Sequence, residues 1–133
     1  MAAVFLIGRI LFSAIFITGG VSHLTKSGPL SQYAAMKKVP APTLAVLGSG
    51  VIILLGGLSI LLGVAPRLGA ILLVVFLVPT AILMHGFWGV KDPMQKQGEQ
   101  AHFMKDMALA GGALVIYYFT TLHPEAWTYS LGR

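Results

Sequence analysis

Long stretches without a charged residue constrain this chain more than any other feature of its sequence. No Asp, Glu, Lys or Arg occurs from residue 39 to 66, from 68 to 90 or from 107 to 124. A membrane-spanning helix needs about 20 mostly apolar residues to cross roughly 30 Å of hydrocarbon. Together with an apolar amino-terminal segment, these stretches predict four membrane spans, at residues 3–24, 43–64, 67–89 and 105–122.

The composition excludes an ordinary water-soluble domain. Hydrophobic residues make up 56% of the 133 residues and charged residues 10%, whereas about 25% of a typical globular domain is charged. Disorder is excluded as well, because disordered segments are poor in apolar residues. The absence of Cys excludes disulfides, thiolate metal sites and a Cys nucleophile. The net charge of +5 is spread along the chain, so we assign it to membrane orientation and lipid head groups and not to nucleic acid.

The predicted fold is all-α: an integral membrane four-helix antiparallel bundle that forms a single domain over residues 1–133. The short connection at 63–67 makes the second and third spans antiparallel neighbours. In the first connection, residues 31–38 predict a short amphipathic helix with Ser31 as its N-cap. Residues 91–104 are the polar connection before the fourth span. Small residues in the second and fourth spans predict close helix packing.

The basic residues favour one orientation of these spans. Cytoplasmic loops of membrane proteins carry an excess of Lys and Arg. The two long connections hold all the lysines, whereas Arg67, Arg133 and Arg9 belong to the other side. This distribution favours both long connections in the cytoplasm and both termini outside.

Arg9 is the one ionised side chain inside the first span. At 100° per residue, Ser13, Phe16, Gly20 and His23 all lie within about 40° of its direction. An ionisable group in lipid is expensive, so we expect this stripe to face the bundle. The alternative is that Arg9 extends to the nearby head groups.

Polar residues also converge on one mouth of the predicted bundle, where the first and third spans end and the fourth begins. His102 and Asp106 are four residues apart, so they can pair on one helix face. The candidate ligand-binding residues are Arg9, His23, His85, Trp88 and Lys105, with Asp92, His102 and Asp106 as secondary candidates.

The chemistry of these residues predicts a site for a quinone or another amphipathic redox ligand. Its ring would lie between His85, Trp88 and small residues, while a His or Lys donates a hydrogen bond to a carbonyl oxygen. A haem held by His23 and His85 is a less specific alternative. No HExxH motif indicates a metal, and no hydrolase elbow indicates a catalytic residue. The remaining alternative is that these histidines only bond helix-end carbonyls and face water.

Several motifs, taken together, resemble the DoxX family. They are Gly8-Arg9-Ile10-Leu11-Phe12-Ser13, Gly19-Gly20 with His23-Leu24-Thr25, Tyr33 with Val39-Pro40-Ala41-Pro42, Leu55-Gly56-Gly57-Leu58-Ser59-Ile60-Leu61-Leu62-Gly63, Pro66-Arg67-Leu68-Gly69-Ala70, Met84-His85-Gly86-Phe87-Trp88 with Asp92-Pro93-Met94, and Phe103-Met104-Lys105-Asp106-Met107-Ala108-Leu109-Ala110-Gly111-Gly112-Ala113-Leu114. The resemblance covers nearly the whole chain. It departs at position 106, which is Asp where the family usually has Asn.

The resemblance implies a multi-pass four-helix protein of the bacterial cytoplasmic (inner) membrane. The family is linked to thiosulfate:quinone oxidoreductase and to thiol and oxidative-stress complexes. We therefore expect a small membrane subunit, non-catalytic or quinone-interacting, of a redox complex. Its expected partners are membrane lipids, quinone, other redox subunits and further copies of itself. The alternatives are a non-enzymatic scaffold or assembly factor, and a small-solute transporter that acts as an oligomer.

Overall fold

The protein folds into five α-helices and one short 3-10 turn. The computed structural model describes residues 1–132, and Arg133, which counted toward the orientation above, lies outside them. The helices are α1 (Ala2–Thr25), α2 (Ser27–Met36), α3 (Pro42–Leu62), α4 (Pro66–Met84) and α5 (Pro93–Leu122), and the 3-10 turn is Pro124–Ala126. The all-α prediction is confirmed. Within the described residues, α1, α3 and α4 are the helices that are long and apolar enough to cross a membrane.

Proline stands at the start of three of the five α-helices. Pro42, Pro66 and Pro93 each stand at the first helical position, where the missing N–H costs no hydrogen bond and the fixed φ suits the helix. Asp92 caps α5, because its side chain accepts a hydrogen bond from the backbone N–H of Gln95 at 3.0 Å.

The structure corrects two of the predicted boundaries. The third span was predicted to reach residue 89, but α4 ends at Met84, and Trp88 folds back to lie against Gly86. The fourth was predicted to begin at residue 105, but α5 begins twelve residues earlier, at Pro93. The Asp92 cap and Pro93 start a helix there despite the polarity of the segment. Residues 93–104 are therefore helical.

The short helix in the first connection is present, but it is displaced toward the amino terminus. It begins at Ser27 and not at Ser31. Ser31 is not the cap, since its hydroxyl donates to the carbonyl oxygen of Ser27 one turn earlier within the helix. Lys37 and Lys38 were predicted to lie within this helix, but they follow its end at Met36.

The long helices pack antiparallel to their neighbours. The most extensive contacts are those of α1 with α3, of α4 with α5 and of α3 with α4. The start of α1 meets the end of α3 through Arg9 and Ile60, and the end of α4 meets the start of α5 through His85 and Glu99. Their shared core consists of Phe16, Ile53, Ile60, Ala70, Leu73, Leu77, Ala110, Ala113 and Trp127.

The predicted polar stripe of α1 faces this packing. The buried residues of α1 are Arg9, Ser13, Phe16 and Gly20, and the ring of His23 binds α3. The periodicity argument is therefore confirmed. Apolar side chains on the other faces of α1 are exposed, as a helix in contact with lipid requires.

Glycines bring the helix backbones close together, as the small-residue pattern predicts. A Cβ atom at Gly20 would stand 2.7 Å from Leu54 Cβ and 3.0 Å from the Gly50 carbonyl oxygen, where α1 crosses α3. At Gly69 it would stand 2.5 Å from Ser59 Oγ, where α4 crosses α3. Gly111, in contrast, has no atom within 4 Å of such a Cβ.

Replacement of Gly20 by Ala will destabilise the protein, because the new methyl group meets the backbone of α3. We expect a loss of about 1–3 kcal/mol of unfolding free energy, the usual cost of overpacking. The measurement is denaturant unfolding in detergent followed by circular dichroism. Gly8→Ala is the matched control on the same helix, since nothing lies within 4 Å of its Cβ position. Equal stability of the two variants would contradict the crossing.

Candidate functional site

All five helices, together with His85 after α4, border one cavity of about 590 Å³. Its polar side chains include His23, His85, Lys105 and Asp106, and most of the remaining wall is apolar. The apolar wall includes Ile15, Phe16, Leu30, Leu44, Ile52, Ile53, Val75, Phe76, Leu77, Leu83 and Leu109. The cavity is therefore amphipathic, with a polar mouth and an apolar body.

The cavity is bordered by side chains that also lie on the outer surface. Leu44 of α3 and Val75 and Leu83 of α4 line it, and all three are exposed. Apolar side chains on the outside of a membrane-spanning helix face lipid. In a bilayer the cavity would therefore be bordered on this side by hydrocarbon.

His23 is held against α3 at the cavity wall. Its Nδ1 atom lies 2.9 Å from Ser49 Oγ and 3.3 Å from the Val46 carbonyl oxygen. The ring meets Phe76 of α4 edge-on at 6.1 Å between centroids. These contacts fix the ring between α3 and α4 within the cavity lining.

Glu99 joins three elements at the cavity mouth. Its Oε1 atom accepts a hydrogen bond from Lys37 Nζ at 2.8 Å, and Tyr33 donates to the same oxygen at 3.4 Å. Its Oε2 atom lies 2.8 Å from His85 Nδ1. An ionised carboxylate can only accept, so His85 is the donor. Glu99 thus ties α2 and the end of α4 to the first turns of α5.

Asp106 lies on the other side of the His85 ring. Its Oδ2 atom is 3.9 Å from His85 Nε2, and its Oδ1 atom is 3.4 Å from Lys105 Nζ. The His102 ring stacks on that of His85 at 5.0 Å between centroids. The predicted pairing of His102 with Asp106 is replaced by this stacking, because the ring of His85 lies against both residues.

Burial and hydrogen bonding act in opposite directions on Glu99. Burial favours its neutral form and is the largest single influence, but the hydrogen bonds from Lys37 and His85 together outweigh it and hold the pKa of Glu99 below its ordinary value. The hydrogen bond to Glu99 raises the pKa of Lys37. Both shifts stabilise the charged pair.

Arg9 binds the end of α3 and not the cavity. Its side chain is buried, at 2% exposure. The guanidinium donates from Nε to the Ile60 carbonyl oxygen at 3.1 Å and from Nη2 to that of Leu61. Nη1 donates to the Thr128 carbonyl oxygen at 2.8 Å. Ile60 and Val46 are fourteen residues apart on α3, so Arg9 and His23 bind α3 at points about 21 Å apart.

Arg9 completes the hydrogen bonding of the last turn of α3. The last four carbonyls of a helix lack intrahelical partners. In α3 the carbonyl of Ser59 accepts a hydrogen bond from the N–H of Gly63, and the carbonyl of Leu62 accepts one from the N–H of Leu131 at 2.9 Å. Arg9 donates to the two carbonyls between them, those of Ile60 and Leu61. Its positive charge also suits the negative end of the helix dipole.

The structure divides the predicted site residues into two groups. His23, His85 and Lys105 line one cavity together with Asp106. Arg9 and Trp88 do not line that cavity. Arg9 is at the other end of α1, and Trp88 is 63% exposed beside a shallower depression with Lys38. Asp92 caps α5, and His102 supports His85 by stacking.

Glu99 and its ion pair with Lys37 were not predicted from the sequence. The signal was available: Asp92 followed by Pro93 is a helix-start pattern. A helix from residue 93 places Glu99, His102 and Asp106 on one face, since they are three, four and seven residues apart. Across residues 1–132, no group of three His, Asp or Glu side chains is arranged to hold a metal ion.

Comparison with known proteins supports the resemblance described above. The sequence profile of the DoxX family matches residues 4–86, which include most of α1, all of α2, α3 and α4, and His85. The chain belongs to the DoxX family. It is also similar to inner membrane protein YqjF of Escherichia coli (strain K12), with 34% identity over 116 residues that cover 84% of this chain and 79% of that protein. No solved structure gives a significant match.

Replacement of Arg9 by Met will destabilise the protein. Each carbonyl of α3 that loses its donor costs about 1–3 kcal/mol. Arg9→Lys will recover part of this loss, because an ammonium cannot reproduce the fork of the guanidinium. The measurement is unfolding free energy in detergent. The control is Arg67→Met, at an exposed position, and a similar loss in that variant would contradict the capping role.

The pair of Lys37 and Glu99 predicts a pH-dependent stability. The depressed pKa of Glu99 gives stability that is complete above its ordinary value of 4.5 and is lost as pH falls through the lowered pKa. The raised pKa of Lys37 gives stability that is complete below 10.5 and is lost as pH rises through the raised pKa. Between these limits, the free energy of unfolding of wild type should exceed that of Lys37→Gln by about 1–3 kcal/mol.

The measurement is the melting temperature of both proteins across the pH range. The matched control is Lys38→Gln, which removes the adjacent exposed lysine. A difference between wild type and Lys37→Gln that persists unchanged into strong acid would refute the ion pair as its cause.

Proposed function

We propose that this protein is a multi-pass protein of the bacterial inner membrane, in which α1, α3, α4 and residues 105–122 of α5 cross the bilayer. Three of these helices have the length and hydropathy of spans. Residues 107–124 carry no charged side chain, and the preceding polar turns of α5 belong outside the hydrocarbon. The similar protein from Escherichia coli is named an inner membrane protein. The lysine distribution favours the cavity mouth on the cytoplasmic side.

We propose that the cavity binds an amphipathic redox ligand of the quinone class, with the protein as a membrane component of a redox complex. The observation that carries this proposal is the division of the cavity into a polar mouth and an apolar body. Its volume of about 590 Å³ lies within the range of small-molecule sites. The exposed apolar wall gives such a ligand a route from the lipid.

The groups at the mouth suit the head of a quinone. Lys105 can donate a hydrogen bond to a carbonyl oxygen, because its ammonium carries three protons. Its ion pair with Asp106, at 3.4 Å between Nζ and Oδ1, does not need all three of them. The His85 ring lies beside it, and Phe76 and Phe16 line the apolar part. A haem is less well supported, since the Nε2 atom of His85 faces the Asp106 carboxylate.

A scaffold that holds partners through small-residue helix faces has less support. Three of the four glycines within α3 are already packed within this chain, and Gly48 has open space at its Cβ position. Gly50 lies against His23, and Gly56 lies against Leu73.

Titration of the purified protein in lipid nanodiscs with a short-chain ubiquinone analogue tests the proposal. We expect saturable binding and a higher melting temperature, because a ligand that binds only the folded state stabilises it. Lys105→Met should weaken binding about tenfold, the effect of one lost hydrogen bond to a charged group. Lys91→Met is the matched control, at an exposed lysine outside the cavity.

Two outcomes would contradict the proposal. One is the absence of saturable quinone binding by a folded wild-type protein. The other is equal affinity of Lys105→Met and wild type, which would place the ligand elsewhere.

A further inference from the structure

The two ring nitrogens of His85 face two different carboxylates of α5. Nδ1 is 2.8 Å from Glu99 Oε2, and Nε2 is 3.9 Å from Asp106 Oδ2. The two acids are seven residues apart, which is about two helical turns on one face of α5. His85 is the first residue after α4, so its ring reaches between these two turns. The imidazole therefore bridges two carboxylates along the helix.

The two carboxylates belong to different environments. Asp106 lines the cavity, as does His85. Glu99 does not line it and lies in the polar first turns of α5, among the exposed residues Gln95, Lys96 and Gln97. The His85 ring is thus the junction between the cavity and the polar segment at its mouth.

We infer that His85 carries a proton between a ligand hydroxyl in the cavity and Glu99 at the membrane face. This inference rests on the proposed function of the cavity and narrows its ligand to molecules with an ionisable hydroxyl, such as reduced quinones and other phenols. No electron transfer is part of the step. Glu99 and Lys37 are positioning residues, because they act through His85.

The step balances in protons. Nδ1 of neutral His85 carries the hydrogen that Glu99 accepts, so Nε2 has the free lone pair. The ligand O–H bond breaks as the Nε2–H bond forms, which leaves a phenolate and an imidazolium. The Nδ1–H bond then breaks as an O–H bond forms on Glu99, and that proton leaves to water. Entry of a proton is the reverse sequence.

The surroundings of His85 compensate the charge at each stage. On α5, Glu99 and Asp106 flank the ring, the His102 ring stacks on it and Lys105 pairs with Asp106. From α2, Lys37 and Tyr33 bind Glu99, and His23 of α1 lines the same cavity. The pairs of Lys37 with Glu99 and of Lys105 with Asp106 are each formally neutral. An imidazolium at His85 faces a carboxylate oxygen at each of its ring nitrogens, and these oxygens stabilise its positive charge. The ammonium of Lys105 is placed to stabilise a phenolate.

An alkylated para-nitrophenol tests this relay, because its anion is yellow and its neutral form is colourless. The intact protein in nanodiscs, with the probe bound, is mixed rapidly with base, and the rate at which the colour appears is measured by stopped flow. In wild type the colour should appear about 100-fold faster than in Glu99→Gln, because a positioned group that accepts and releases a proton accelerates the transfer by roughly this factor. Glu125→Gln is the control, since it neutralises an exposed carboxylate that follows α5 at the far end. It should match wild type.

The outcomes separate the relay from the site. A probe that binds both wild type and Glu99→Gln and changes colour at the same rate in both overturns the relay and leaves the cavity as a binding site. A probe that does not bind overturns both. Nitrogen-15 NMR of the protein with labelled histidine gives a second measurement, in which the His85 signals are assigned by their loss in His85→Gln. The His85 ring should be protonated at Nδ1 and its Nε2 signal should change when the probe is added, and an unchanged Nε2 signal would overturn the relay.

Discussion

The arrangement of the helices depends on the hydrogen bonds of the Arg9 guanidinium at the end of α3. A carbonyl that is buried in an apolar medium costs free energy unless a donor reaches it. Arg9 reaches two carbonyls of α3 and also binds the segment after α5 at Thr128. The Trp127 ring covers the guanidinium at 4.8 Å, so the charge is held between a helix end and an aromatic face. One side chain thereby joins three parts of the chain at the end of the molecule away from the cavity.

This anchor also determines where the cavity lies. With Arg9 at the end of α3, antiparallel packing along the glycine crossings brings His23 to Ser49 near the start of α3. The cavity lies between that contact and the end of α4. Arg9, which does not line the cavity, thus fixes the position along the bundle of His23, which does.

The charged groups at the cavity mouth also need partners, because they are partly or fully buried. Glu99 and Asp106 are buried, and each is close to a lysine and to the His85 ring. Mutual neutralisation lets Lys105 and Asp106 line the cavity, and Lys37 and Glu99 lie at its mouth, without exposing an uncompensated charge to hydrocarbon. The polar turns of α5 are needed for this arrangement, because they carry Glu99 to the junction of α2 and α4.

Local patterns in the amino-acid sequence were enough to predict the helical class, the ranges of α1 and α3 to within two residues and the buried face of α1. These properties follow from hydropathy and from the 100° repeat, which are local. The capping of α3 by Arg9 and the bonds of Glu99 to Lys37 and His85 depend on how distant segments pack together. In both cases the partner is a backbone carbonyl or a side chain more than ten residues away, so no local pattern could identify it. Polarity alone misplaced the start of α5, because its polar turns are stabilised by a cap and by tertiary ion pairs and not by apolar burial.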